Sequence, residues 1–117
     1  MKTIENNQDV QIPVTKFYSQ KLILEIASYP IRQVSFWIHS MKSYENGNIE
    51  MVVVDEKTDK LRNVALTAKQ ITDAFVSGVG LGLCHCSGYA LEDLDNHDAC
   101  SADLILQMAV YGEIVWG

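Results

Sequence analysis

Apolar and polar positions along the chain change period several times, and each change marks an element. Between Thr15 and Tyr29 the residues Tyr18, Leu22, Ile26 and Tyr29 recur at helical spacing, with Ile23 in the same stripe. This predicts a helix that Thr15 caps and Pro30 stops. From Gln33 the period drops to two. In QVSFWIHSM, Val34, Phe36 and Ile38 point one way and Ser35, Trp37, His39 and Met41 the other, as in a half-buried strand. YENGNIEMVVVD follows, with Asn46-Gly47 as a turn signal between two strand-like runs, so a hairpin is expected. A second turn, DEKTDK, leads into a shorter strand, LRNVA.

Helical spacing then returns. Thr67-Ala68-Lys69-Gln70 is a capping box, in which the Thr hydroxyl and the Gln side chain each satisfy a free backbone N–H. The helix it opens has Ile71, Ala74 and Phe75 on its inner face, and Gly78 is placed to end it in the left-handed conformation. GVGLGLCHCSGY reads as a glycine-rich connection. A last helix is expected from an Asp98 N-cap to Tyr111, with Gly112 at its C-terminal side and EIVW as a closing strand. The polar residues 1–11 read as a loose arm on a single domain spanning 1–117. The fold class is α+β: a small antiparallel sheet of three to four strands packed against about three helices.

Composition narrows the function classes. A chain of 117 residues buries roughly two thirds of its unfolded surface, enough for one core without staples. With 48% hydrophobic and 21% charged residues, neither disorder nor a fibrous repeat is indicated. No apolar run approaches the ~18 residues of a spanning helix, and MKTIENNQDV lacks the apolar stretch of a signal peptide. A cytoplasmic protein without a membrane partner is expected. Three cysteines, two of them only two positions apart, fit reduced thiols better than a disulfide scaffold.

The net charge of -6 is unevenly spread. Residues 1–66 carry eight basic and eight acidic side chains, whereas residues 67–117 carry Lys69 alone against seven carboxylates. Direct nucleic-acid binding through the C-terminal half is therefore disfavoured, since phosphates need cations. A basic partner surface would be attracted instead. The plainer reading of such an acidic surface is solubility.

Candidate chemistry is sparse. Cys84, Cys86, His97 and Cys100 form C-x-C, ten residues, then H-x-x-C, which could supply a zinc tetrahedron, but the spacing differs from the usual knuckles and cysteine is often simply buried. Glu92, Asp93, Asp95 and Asp98 suggest calcium. Counting from Asp93, however, places Asp98 and Leu104 where an EF-hand loop requires glycine and glutamate. Asp98 and Asp103 are better assigned to the positive N-terminal end of the last helix. Gly78, Gly80 and Gly82 follow a helix rather than open one, against a phosphate loop. Cys86 beside His85 or His97 would be a nucleophile pair only with an activated thiol. No cofactor is called for and no catalytic residue is assigned.

Three surfaces remain as binding candidates, the first being the carboxylates Glu92, Asp93, Asp95 and Asp98, which could meet a basic partner. Trp37 and His39 share a strand face and could contact a ligand or partner, unless a helix covers them. The last helix is apolar nearly all round, so either it is central or part of it lies against another subunit; Leu106, Val110, Tyr111, Ile114 and Trp116 are the interface residues of the homo-oligomer this favours.

The ending DNHDACSADLILQMAVYGEIVWG resembles that of a family of small uncharacterised tailed-phage proteins: an acidic stretch, D-A-x-x-A-D-x-[IV]-x-Q, then [FY]-G-E-[IV]-V-[YW]-G. The matching positions are Asp98, Ala99, Ala102, Asp103, Ile105, Gln107, and Tyr111 through Gly117. Upstream, SFWIHSM and TAKQITDAFVSG also resemble family segments, whereas Cys84, Cys86 and Cys100 lie outside the pattern. The resemblance implies a phage accessory protein in the cytoplasm of an infected bacterium, a class often engaged in counter-defence. The expected function is binding rather than catalysis, either as an oligomeric sponge for a small signalling nucleotide or as an acidic decoy for a basic host protein surface. A zinc module or small enzyme built on the Cys/His group, and a minor virion component, are the competing expectations.

Overall fold

The computed structural model describes residues 9–11, 17–28, 35–84, 88, 90–91, 93 and 99–116. Its elements run β1 (Asp9–Gln11), β2 (Phe17–Ser19), α1 (Gln20–Ala27), β3 (Ile38–Ser43), β4 (Ile49–Val54), β5 (Leu61–Leu66), α2 (Ala68–Gly80) and α3 (Ala99–Tyr111). Strands β3, β4 and β5 form an antiparallel sheet in that order, β1 and β2 pair separately, and the helices pack with the three-stranded sheet into an α+β fold. Among the described residues no helix is long and apolar enough to cross a membrane.

Alternation sets the faces of the sheet. In β4, Ile49, Met51 and Val53 are buried, and pairing places them opposite Leu66, Val64 and Arg62 of β5. The hairpin at Asn46-Gly47 forms as its sequence predicts: Tyr44 N–H donates to Asn48 O at 2.9 Å, and Gly47 takes φ +89°. That glycine also permits close approach to α1, since a Cβ there would lie 2.6 Å from Leu24 Cδ1. In the DEKTDK turn, the Asp55 carboxylate accepts the N–H groups of Lys57 and Thr58 at 2.8 and 3.1 Å. Those bonds, the Lys57 one first, hold its carboxyl below the ordinary value.

Strand β3 departs from strict alternation. The ladder pairs Ile38 with Val53 and then Ser40 with Val52, so His39 is an extra residue, a β-bulge. Consequently Ile38 and Met41 both face the core, and His39 is turned out to solvent. The face expected to carry Trp37, His39 and Met41 together does not form, because the bulge separates them. Phe36, expected beside Ile38, stands in the preceding turn and is 69% exposed.

The N-terminal expectations need correction. Asp9–Gln11, read as part of a loose arm, pairs antiparallel with Phe17–Ser19, which the sequence had assigned to a helix. Aromatic residues suit an extended pair, and pairing overrides the weak helical stripe there. Helix α1 therefore starts at Gln20, and its buried positions are Ile23, Ile26 and Ala27, whereas Leu22 is turned outward. Thr15, Tyr29 and Pro30 lie outside the described residues.

Helix α2 starts with the predicted capping box, Gln70 N–H donating to Thr67 Oγ1 at 3.2 Å and Thr67 N–H to Gln70 Oε1 at 2.8 Å. It does not stop at Gly78. The helix continues to Gly80, and the left-handed residue is Gly82 at φ +70°. Gly78 serves packing instead, because a Cβ there would meet Leu91 Cδ2 at 2.6 Å. Helix α3 packs chiefly on α2, then on α1 and β5, so that Ala102, Ile105, Leu106 and Gln107 are fully enclosed. It ends where Gly112, at φ +76°, donates its N–H to Met108 O at 3.0 Å. Ile114–Trp116 form no strand, contrary to the sequence expectation, because the N–H groups of Val115 and Trp116 are taken by a side chain.

Candidate functional site: an aromatic corner on a polar clamp

That side chain belongs to Gln107, which shares one face of α3 with Asp103, four residues earlier. Gln107 Oε1 accepts the N–H groups of Val115 and Trp116 at 2.8 and 2.9 Å, and its Nε2 donates to Trp116 O at 3.0 Å and Asp103 Oδ2 at 2.8 Å. Every donor and acceptor of this fully buried amide is thereby used, as burial of a polar group requires. Asp103 Oδ1 accepts Ser35 Oγ–H at 2.5 Å and the Trp37 indole N–H at 2.7 Å. One carboxylate and one amide thus tie three pieces of chain together: the approach to β3, the middle of α3, and the tail.

Aromatic rings gather over this clamp. Trp37 lies 5.4 Å from Tyr111, Tyr111 6.4 Å from Trp116, and Trp116 5.3 Å from Phe36 in an edge-to-face pair. Tyr111 donates its hydroxyl to Val54 O at 2.6 Å, and Arg62 sits 5.8 Å above its ring. Arg62 also reaches Asp55 at 3.4 Å and Glu56 at 4.0 Å. Burial raises the Tyr111 phenol above its ordinary value, with the Trp116 side chain and Arg62 pulling the other way. The Trp116 indole nitrogen is itself buried and makes no hydrogen bond of ordinary geometry. Phe36 is the outlier, an exposed ring whose sequence neighbours Ser35 and Trp37 are both bonded to Asp103.

A concavity of about 420 Å³ lies between α1 and the tip of the β3–β4 hairpin, away from the aromatic corner. Gln20, Lys21, Leu24 and Glu25 form one wall; Tyr44, Glu45, Asn46 and Gly47 form the other. Tyr44 donates its hydroxyl to Glu50, which keeps the phenol above its ordinary value, and the Lys42 ammonium lies 5.0 Å above its ring.

The structure distributes the sequence candidates unevenly. Trp37 is 1% exposed with its N–H turned inward, so it anchors the clamp and is not a free contact. His39 is exposed but stands apart on the bulge. Asp103, assigned from sequence to the helix end, is the fifth residue of α3 and is committed to Ser35, Trp37 and Gln107. Asp93 is half-buried, whereas Glu92, Asp95 and Asp98 lie outside the described residues.

Of the proposed interface residues, Leu106 is fully enclosed by its own chain and cannot meet a partner, which corrects that assignment. Val110, Tyr111, Ile114 and Trp116 are half-buried against the core. The apolar surround of α3 is largely met by α1, α2 and the sheet. Cys84 is exposed and Cys100 half-buried; Cys86 and His97 lie outside the described residues, and among those described no group of three or more His, Cys, Asp or Glu side chains could hold a metal ion.

Sequence reasoning missed Phe36 as an exposed ring and Gln107 as a clamp. A signal for the second was available: a glutamine inside an otherwise apolar helix, one turn after an aspartate, must find buried partners. In comparisons with family models, curated proteins and solved structures, the chain matches none of them.

Proposed function

We propose that the protein acts by binding another protein, with Phe36 as the central contact and the acidic C-terminal half steering it toward a basic surface. One observation carries this reading: a large ring, 69% exposed, is mounted between two residues fixed by the same half-buried carboxylate. Exposed aromatics lose little conformational entropy on binding when they are already held in place, and they dominate the affinity of many protein contacts. Trp116 and Tyr111 continue the apolar surface behind Phe36. The charge excess of residues 67–117 contributes attraction at a distance rather than contact energy. The resemblance of the tail to small tailed-phage proteins supplies the setting of this proposal, an accessory factor acting on a protein of its bacterial host.

Cross-linking capture from host lysate with the wild type and with Phe36→Ala tests it. Phe36→Ala should keep the wild-type melting temperature yet lose the captured protein, and capture by the wild type should weaken as salt is raised. Equal capture by both proteins would overturn the role of Phe36. The signalling-nucleotide reading is less favoured by the α1–hairpin cleft, which offers one ammonium, Lys21, against two carboxylates, Glu25 and Glu45.

A further inference from the structure

We infer that the cleft between α1 and the β3–β4 hairpin is a site for a small dibasic amino acid, a ligand with one carboxylate and two cationic groups such as free arginine or lysine. Three ionised side chains line it, Lys21, Glu25 and Glu45, and among the described residues none of them forms an ion pair. Their charges are the complement of such a ligand. Lys21 can take the ligand carboxylate, and Glu25 and Glu45 can take the α-ammonium and the side-chain cation.

The walls are built rather than accidental. Gly47 comes so close to α1 that a Cβ there would lie 2.6 Å from Leu24 Cδ1, which seats the hairpin tip against that helix. The tip is locked in turn by Asn48, whose N–H donates to Asn46 Oδ1 at 3.0 Å and whose Oδ1 accepts Ala68 N–H at 3.1 Å. A pre-formed concavity of about 420 Å³ falls in the size range of small-molecule sites. Leu24 supplies an apolar wall for the methylenes of the ligand, and Gln20 adds an amide at the rim.

Calorimetric titration of the full chain with L-arginine, L-lysine, L-norleucine and L-glutamate tests this inference. Saturable one-to-one binding of arginine or lysine is expected, with norleucine bound about tenfold more weakly and glutamate more weakly still. Glu25→Gln, Glu45→Gln and Lys21→Met should each weaken binding about tenfold, the cost of one charged hydrogen bond, while leaving the melting temperature unchanged. Phe36→Ala should bind as the wild type does, which separates this site from the protein-binding surface. Absence of saturable heat at millimolar ligand, equal binding of norleucine, or full binding by the Glu25→Gln/Glu45→Gln double variant would each overturn it.

Discussion

Asp103 satisfies two donors that would otherwise be stranded beneath the aromatic rings, Ser35 Oγ–H and the Trp37 indole N–H. Asp103→Ala should therefore destabilise the fold by about 2–3 kcal/mol, read as a lower urea midpoint at unchanged slope. Gln107 has a different consequence, because its partners are backbone groups of the tail. Gln107→Leu preserves volume but frees Val115 and Trp116, so their amide hydrogens should exchange faster than those of β4.

Tyr111 links protonation to stability. Its phenol pKa is raised above the ordinary 10.0, so the folded chain holds the proton more tightly than the unfolded one. The associated stability is present below that ordinary value and is lost as pH rises through the raised one. Tyr111→Phe should cost about 1 kcal/mol at neutral pH through the lost bond to Val54 O, and should flatten the alkaline fall in stability.

At the level of elements, the capping box, the Asn46-Gly47 hairpin and the β4 alternation were legible because each depends on a few adjacent residues. Thr67→Ala should cost about 1 kcal/mol by thermal unfolding, as loss of a helix cap does. Gly47→Ala should cost about 1–2 kcal/mol, since it forces a side chain into a positive φ and Leu24 must shift to make room. What failed was set by partners distant in the chain. Phe17–Ser19 looks helical until Asp9–Gln11 pairs with it, and EIVW looks like a strand until Gln107 takes the N–H groups of Val115 and Trp116. Gly78 resembles a helix stop unless Leu91 is known to need the space. The bulge at His39 has no local signature in QVSFWIHSM, where strict alternation fits equally well.

For the molecule as a whole, the sequence made the charge asymmetry and the apolar last helix plain, but not where their consequences fall. Enclosure of α3 by α1, α2 and the sheet converts an apparent surplus of apolar surface into a core. The clamp shows how far apart the joined pieces lie: Trp37 and Asp103 are separated by 66 positions, and Tyr111 and Val54 by 57. This bears on synthesis. The three-stranded sheet is synthesised well before α3, the helix whose Asp103 and Tyr111 meet Trp37. Nascent chains should stay sensitive to protease until α3 clears the exit tunnel and then become resistant in one step, so this fold closes only with its last helix and not strand by strand.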